Sequence, residues 1–275
     1  MQTLAYKKKL CTATSNFKLS LEYRKKNSNV VKIKVEDISF PNSNEFFKLA
    51  LYQRTELLPL RNKDTLFNRI IAKIGFVPNE NYKEFVKRVS DENSESIAYS
   101  FLKIFEKKAI SLLPHITTDC SSILDIGCGL GVLDLFLWHE LNKPKLYLLD
   151  KTRVDENIWY LFTNKAAFYN SLELTNQFLV RNDVTRESIR TLNASDDFNI
   201  PIKANSVDLI VSSLSWGFHY PLSTYMDGVQ RVLREDGIII VDTRKGTGAE
   251  QELKKNFKTE IIEETGKVKT FKCSY

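Results

Sequence analysis

Features that would place the chain in a membrane or in an oxidising compartment are scarce in this sequence. No apolar stretch approaches the roughly 18 residues that a membrane-spanning helix needs. Residues 1–10 contain three lysines but no apolar core of signal-peptide length follows them. The cysteines lie far apart and form no C-x-x-C pair: Cys11, Cys120, Cys128 and Cys273. We therefore expect a cytoplasmic protein with neither a membrane span nor a bound metal.

Glycine and proline are also sparse, with 10 and 7 residues in a chain of 275, and there is no internal repeat or low-complexity tract. Hydrophobic residues make up 43% and charged residues 27% of the chain, which is typical of globular proteins and excludes disorder of the whole chain. A chain of this length can form one large α/β domain or a catalytic domain with an appendage.

Acidic residues are too few in the first part of the chain to balance the basic ones. Counted along the sequence, the net charge is +9 for residues 1–115 and −3 for residues 116–275. A basic first part can attract an anionic partner, such as a nucleotide or a nucleic acid, whereas a solvated lysine-rich surface is the simpler explanation.

The apolar periodicity divides the chain into two regions. Residues 95–112 have apolar side chains at spacings of three and four, which predicts an amphipathic helix that ends before Pro114. Upstream, residues 30–35 resemble a short exposed strand, and residues 44–60 and 63–74 look helical. We expect residues 1–94 to form a mainly helical region, either a cap over a substrate or packing support, and residues 95–275 to form the catalytic domain.

After Pro114, strand patterns alternate with helix patterns. The predicted strands are residues 122–126, 145–149, 188–192, 207–213 and 238–242, and the predicted helices are residues 132–141, 166–179 and 222–233. Residues 259–263 and 267–273 flank Gly266 as a hairpin would. The sequence thus predicts an α/β fold of Rossmann-like type, with a doubly wound, mostly parallel sheet and an antiparallel C-terminal hairpin.

A glycine-rich turn joins the first of these strands to the helix that follows. Glycine lets the backbone approach a ligand closely and adopt positive φ. The dinucleotide pattern G-x-G-x-x-G would place its third glycine at Val132, but the glycines are Gly127, Gly129 and Gly131. Asp125, just before the turn, would repel a pyrophosphate and attract an ammonium group.

The string from Leu124 to Gly131 resembles the first motif of class I S-adenosylmethionine-dependent methyltransferases. The resemblance implies S-adenosyl-L-methionine as the cofactor, with its methionine portion against Asp125 and the loop Gly127, Cys128, Gly129 and Gly131. It also implies that Asp150, which ends the second strand, binds the ribose hydroxyls.

Further cofactor contacts are expected at the ends of the next two strands. In this family the adenine contact follows the third strand, where Asp196 and Asp197 stand, and Asp196 is the preferred candidate. Ser213, at the end of the fourth strand, is a further candidate for the cofactor pocket.

The acceptor is expected beside the segment that continues from the fourth strand, Ser213 to Pro221. His219 is the candidate general base, because its unperturbed pKa lies near neutrality. Tyr220 and Trp216 can stack on a ring or support a hydroxyl, or they can close the cofactor cavity and fill the core. Arg244 and Lys245, after the fifth strand, can contact an anionic acceptor or be solvated loop charges.

Two motifs that the sequence lacks narrow the range of possible methyl acceptors. The segment lacks the Pro-Pro-aromatic sequence of amino-methylating DNA enzymes, and no cysteine lies between Cys128 and Cys273 to serve a cytosine C5 enzyme. The run from Trp216 to Pro221 is similar to bacterial sugar or small-molecule O-methyltransferases, over residues 96–243. The sequence thus favours O-methylation of a small molecule or sugar. A methyltransferase of RNA, a nucleotide or a protein side chain, and a non-catalytic binding subunit, remain alternatives; the oligomeric state is left open.

Overall fold

A computed structural model describes residues 32–54, 57, 79–116, 119–154 and 169–275. Within these ranges the α-helices are α1 Ser43–Gln53, α2 Asn79–Leu112, α3 Val132–Glu140, α4 Leu172–Arg181, α5 Met226–Val232 and α6 Ala249–Asn256. None of the helices in these ranges has the length and apolar character that crossing a membrane requires. The predicted helix over residues 63–74 lies outside the described residues.

Seven strands form one sheet in the order β3-β2-β1-β4-β5-β7-β6, and the short segments Arg153–Val154 and Tyr169–Asn170 pair as a separate two-stranded sheet. The seven strands are β1 Ser122–Ile126, β2 Lys145–Asp150, β3 Ile189–Asn193, β4 Val207–Ser212, β5 Leu233–Arg244, β6 Lys258–Thr265 and β7 Val268–Ser274. The first five pair in parallel, and β7 pairs antiparallel with both β5 and β6. The predicted fold class, including the antiparallel C-terminal hairpin, is confirmed.

The middle of the sheet is apolar on both faces, as a parallel sheet between two helical layers requires. Every residue of β1 and of β4 is buried. Neighbouring residues point to opposite faces, so Ile123 joins the core under α3 and α4 while Leu124 joins the core under α5 and α6. This arrangement brings the carboxyl ends of β1, β2 and β4 together at one edge of the sheet.

Several predicted elements differ from the structure in their bounds. The predicted helix over residues 222–233 is a 3-10 turn at Leu222–Thr224 followed by the short helix α5, and β5 already begins at Leu233. The prediction of a strand over residues 30–35 is wrong for its described part, because Val35–Asp37 forms a 3-10 turn. Helix α1 ends at Gln53 rather than at residue 60.

The two regions predicted from the sequence are continuous in the structure. Helix α2 crosses the expected boundary at residues 94 and 95, with a non-helical residue at Asn93. Phe46 of α1 is fully buried, and its ring centroid lies 5.0 Å from that of Phe178 in α4. One apolar core therefore includes side chains from α1 and α2 together with those of the α/β layer.

Candidate functional site

The glycine-rich turn follows β1 and adopts a backbone that other residues rarely adopt. Gly127, Gly129 and Gly131 have φ values of 81°, 54° and 72°. A Cβ atom on Gly127 would lie 1.8 Å from the Oγ atom of Ser215, which no rearrangement short of moving Ser215 would relieve. The turn is anchored to the sheet because the Gly127 N–H donates to the Leu149 carbonyl of β2 at 2.7 Å.

Gly129 is the centre of the hydrogen bonds that hold this turn. Its N–H donates to Oδ2 of Asp150 at 2.8 Å. Its carbonyl accepts from Nδ2 of Asn170 at 2.7 Å and from Oγ1 of Thr175 at 2.8 Å. A Cβ atom here would lie 2.9 Å from Oε1 of Gln53, so the last residue of α1 lies directly against the turn. The N-terminal region therefore covers part of the site.

Two carboxyl groups are buried below the glycine turn. Asp125 is 2% exposed, and Asp134, in the first turn of α3, is fully buried. Oδ1 of Asp125 and both oxygens of Asp134 have no hydrogen-bond partner among the described residues. Burial and the nearby Asp134 raise the pKa of Asp125 well above its usual range, and burial raises the pKa of Asp134 to about 7. The pair is therefore best described as sharing one proton near neutral pH.

Asp150 stands at the end of β2 with its carboxylate fixed by backbone donors. Besides the Gly129 N–H, the Lys151 N–H donates to Oδ1 at 2.7 Å. Burial raises the pKa of Asp150 to about 6, against the lowering effect of these hydrogen bonds. The Asn170 side chain also donates to this carboxylate. Its remaining acceptor positions suit a pair of neighbouring hydroxyl groups.

Of the two acids after β3, Asp196 pairs with Lys151, the residue that follows Asp150. Lys151 Nζ donates to Oδ1 of Asp196 at 2.8 Å, and that carboxylate is 94% exposed. Asp197 instead accepts from the Asn199 N–H at 3.1 Å and from Ser195, which stabilises the local turn. Asp196 is thus tied to the residue after β2, while the charges of Asp197 and Asp150 both act on Tyr225.

The turn after β4 lies over the glycine turn from the other side. Oγ of Ser215, which faces Gly127, is 3.2 Å from the hydroxyl oxygen of Tyr220. Ser213 donates to Oδ2 of the buried Asp242 at 3.0 Å. Trp216 is fully buried, and its Nε1–H donates to the Leu222 carbonyl at 2.8 Å, so it takes the core role rather than the stacking role.

His219 is close to cationic groups from two separate elements. Burial and, to a smaller extent, the charges of Arg244 and Arg54 together lower the pKa of its imidazole to about 4. At pH 7 the ring is therefore neutral and carries a free lone pair. Burial raises the pKa of the Tyr220 hydroxyl, which stays protonated, and burial beside three acids does the same to the Cys128 thiol. Cys128 is therefore unsuited to act as a nucleophile.

Sequence reasoning missed several residues that build this site. Asp134 had a visible signal, because it is the lone charge in the apolar run from Val132 to Trp138. Gln53, Thr175 and Ser215 carried none, since their roles depend on contacts between distant parts of the chain.

A scan against models of protein families found no match, and neither did a search of curated proteins. Solved structures with a similar fold include a precorrin-6y C5,15-methyltransferase from Geobacter metallireducens (15% identity, 62% of this chain and 87% of that one, TM-score 0.43). They also include a SAM-dependent methyltransferase from Aquifex aeolicus (16% identity, 62% and 96%, TM-score 0.41). TYW2 from M. jannaschii, in complex with AdoMet, matches at 13% identity (62% and 74%, TM-score 0.38).

At these identities the likeness concerns the fold alone. The strand order of this chain, with five parallel strands and an antiparallel C-terminal hairpin, is that of a Rossmann-like α/β fold.

Proposed function

We propose that this protein is an S-adenosyl-L-methionine-dependent methyltransferase that methylates a hydroxyl group of a small molecule or sugar. The observation that carries the proposal is the buried pair Asp125 and Asp134 beside a turn of three positive-φ glycines; Oδ1 of Asp125 and both oxygens of Asp134 have no hydrogen-bond partner among the described residues. A pair that shares one proton still keeps a negative charge inside the protein, which is costly unless a cation reaches it. A cofactor with an ammonium and a sulfonium group meets that need.

The residues around the turn fit the rest of such a cofactor. Asp150 offers two oxygens to the ribose hydroxyls, and Asp196, held by Lys151, is the candidate for the adenine amino group. The further residues that we assign to the cofactor pocket belong to the turns after β1 and β4: Gly127, Cys128, Gly129, Gly131 and Ser213. A pyrophosphate would meet the charges of Asp125 and Asp150 instead, which disfavours a dinucleotide.

When bound, the cofactor supplies a methyl group activated by the sulfonium centre. The chain then has to orient the acceptor and to take up the proton of its hydroxyl group. His219 is neutral at pH 7 and can accept that proton at a ring nitrogen. Tyr220, hydrogen-bonded to Ser215, is placed to hold the acceptor oxygen in position.

Binding of the methyl donor tests the assignment of the glycine turn. Asp125→Ala removes a charged partner, and Gly129→Val adds a side chain that would clash with Gln53. Either change is expected to weaken binding of S-adenosyl-L-methionine at least tenfold in isothermal titration calorimetry. Asp227→Ala, an exposed acid on α5, is the matched control and should bind normally. Unchanged binding by both site variants would refute the assignment.

A methyl-transfer screen tests the reaction class. The chain is incubated with labelled S-adenosyl-L-methionine and with sugars, nucleotide-sugars, small phenols or RNA, and the product mass is read out. We expect transfer to a small hydroxyl compound. Transfer to RNA alone would contradict the proposed acceptor, and donor binding without transfer, together with a stable protein complex, would favour a non-catalytic subunit.

A further inference from the structure

Asn170 places an unused hydrogen-bond acceptor beside the glycine turn. It lies two residues before α4 and is 3% exposed. Its Nδ2 donates to the Gly129 carbonyl at 2.7 Å and also to the Asp150 carboxylate. Its Oδ1, by contrast, is buried and has no hydrogen-bond partner among the described residues. A buried acceptor in this state costs free energy, because it has lost its hydrogen bonds to water.

The orientation of the Asn170 amide is fixed by its neighbours. If the amide were turned around, Oδ1 would face the Gly129 carbonyl, and two acceptors would oppose each other. The backbone is also held in place, because its short strand pairs antiparallel with Arg153–Val154, and the Leu172 N–H donates to Oγ1 of Thr152 at 3.1 Å. The fold therefore holds the unused acceptor beside the turn.

A second buried asparagine shows how such a side chain is usually satisfied. Asn182, directly after α4, is 4% exposed. Its Nδ2 donates to the Ser39 and Phe178 carbonyls at 2.8 and 2.7 Å, and its Oδ1 accepts from the Ser39 N–H at 2.8 Å. Both ends of that amide are thus bonded within the described chain, whereas only the donor end of Asn170 is. This difference suggests that the oxygen of Asn170 serves a ligand.

The position of this oxygen identifies the kind of ligand group that it can bind. The Gly129 N–H donates to Oδ2 of Asp150 at 2.8 Å, so the turn residue that accepts from Asn170 also donates to the carboxylate assigned to the ribose. Three protein N–H groups already use acceptor positions of that carboxylate. A second acceptor next to it therefore favours the binding of two neighbouring hydroxyl groups, each of which has one hydrogen to donate.

We propose that Oδ1 of Asn170 accepts a hydrogen bond from one of the two ribose hydroxyl groups of S-adenosyl-L-methionine, while the other hydroxyl stays on Asp150. The inference rests on the proposed methyltransferase function and adds a residue to its cofactor site. Other groups of the chain enclose this oxygen, and the end of α1 packs against the same short strand. The entering ribose has to displace part of this cover, and its hydroxyl group supplies the missing donor.

The test begins with two ligands that share the ribose and differ in the amino-acid portion. S-adenosyl-L-methionine and methylthioadenosine, which lacks that portion, are titrated into the full chain by isothermal titration calorimetry. Asn170→Ala removes the acceptor, and we expect it to weaken binding of both ligands by about tenfold, because a hydroxyl group then loses its buried partner. A loss confined to S-adenosyl-L-methionine would assign Asn170 to the ammonium group and would overturn the ribose contact.

Deoxy analogues show whether the contact is direct. Asn170→Ala also removes a donor to Gly129, which can loosen the turn without any contact to the ribose. The 2′-deoxy and 3′-deoxy forms of methylthioadenosine therefore complete a double-mutant cycle. The analogue that lacks the hydroxyl bound by Asn170 should bind the unaltered chain and the variant with affinities within about twofold of each other. The other analogue should show the full loss, and an equal loss for both would refute a direct contact.

Three further variants make the result specific to Asn170. Thr175→Val removes the other side-chain donor to the Gly129 carbonyl and should change the affinities of methylthioadenosine and its deoxy forms alike. Asn182→Ala removes the satisfied asparagine and should lower stability without changing the relative affinities of these ligands. Circular dichroism verifies that each variant is folded, and Asn170→Leu, which keeps the volume of the side chain, repeats the cycle if the alanine variant is not.

The outcomes separate this inference from the proposed function. If S-adenosyl-L-methionine binds the unaltered chain and Asn170→Ala changes no affinity, the ribose contact is refuted and the proposed function stands. If S-adenosyl-L-methionine does not bind the unaltered chain, the proposed function fails, and the ribose contact fails with it.

Discussion

Asp134 is the side chain at this site whose charge is least compensated. Its position in the first turn of α3 favours a negative charge, because backbone N–H groups point toward that end of the helix. Complete burial opposes the charge, and it is the larger effect, since it raises the pKa of Asp134 to about 7. Asp125, beside it, has its pKa raised for the same reason and by the repulsion of Asp134.

The raised pKa of Asp134 makes the free energy of unfolding depend on pH, and the direction of this dependence is defined. The folded chain holds a proton on Asp134 up to about pH 7, whereas the unfolded chain loses it near pH 3.8. The free energy of unfolding therefore falls as pH rises through this window, and the loss is complete above about pH 7.

Replacing the carboxyl group of Asp134 by an amide removes the fall in stability that occurs as pH rises. We expect Asp134→Asn to raise the melting temperature of the cofactor-free chain at pH 8 more than at pH 5, by about 2–4 °C for each kcal/mol relieved. Differential scanning calorimetry at the two pH values measures the difference. The exposed Asp227→Asn should give no pH-dependent gain, and an equal gain at both pH values for Asp134→Asn would show that charge is not the cause.

His219 permits a separation of cofactor binding from chemistry. Because we assign its side chain to the acceptor side, His219→Ala should lower turnover by about 10²–10⁴-fold, the usual contribution of a positioned base. The dissociation constant of the methyl donor should change little. Single-turnover rates and calorimetry measure the two quantities, with His139→Ala on α3 as the control. An equal loss of donor affinity would place His219 in the cofactor pocket.

At the scale of elements, a lysine of α2 that is 15% exposed links this helix to the sheet. Lys108 Nζ donates to Oδ1 of Asp242 at 2.7 Å and to Oγ1 of Thr270 at 3.0 Å. Asp242 is 2% exposed and also accepts from Ser213, so the same carboxylate orders the turn after β4. The ion pair therefore links α2 to the strand ends where the site lies.

Removing this lysine leaves a buried carboxylate without its cation. Lys108→Met is expected to lower the free energy of unfolding by about 3–5 kcal/mol, the usual cost of breaking a buried ion pair at one end. Urea unfolding followed by circular dichroism measures it. Lys107→Met, on the exposed face of the same helix, should change stability by no more than about 0.5 kcal/mol. The double variant Lys108→Met, Asp242→Asn should recover part of the loss.

The sequence allowed the central strands and the glycine turn to be predicted because their signals are local. The strand β1 matches its predicted range, since an apolar run ends directly at the glycines. The start of β5 was missed because the charged residues 234–236 resemble a turn, although Leu233 pairs with Val207 of β4. The contact of Gln53 with Gly129 joins residues far apart in sequence, and no local pattern can indicate it.

At the scale of the whole molecule, the N-terminal helices and the α/β layer share an aromatic core. Phe46 of α1 packs near Phe101 of α2, with ring centroids 6.2 Å apart, and also against Phe178 of α4. The two predicted regions therefore stabilise each other, and removal of residues 1–94 would expose the apolar surface of α4.

A core substitution in α1 should thus lower the stability of the α/β layer as well as that of the N-terminal helices. Phe46→Ala is expected to lower stability by about 3–5 kcal/mol. It should shift the fluorescence transition of the buried Trp138 and Trp216 along with the far-ultraviolet signal of the helices. Tyr99→Ala, an aromatic on α2 that is 42% exposed, is the control. If the tryptophan transition stays in place while helix signal is lost, the N-terminal region unfolds independently.

The edge strand β6, at one border of the sheet, affects how copies of the chain can associate. Its outward row includes Lys258, Glu260 and Glu264, which are all exposed, and its pairing with β7 is interrupted by an irregularity between Ile261 and Glu263. Charged side chains and a bent backbone hinder the addition of a foreign strand. The sheet therefore resists growth from one molecule to the next along this border.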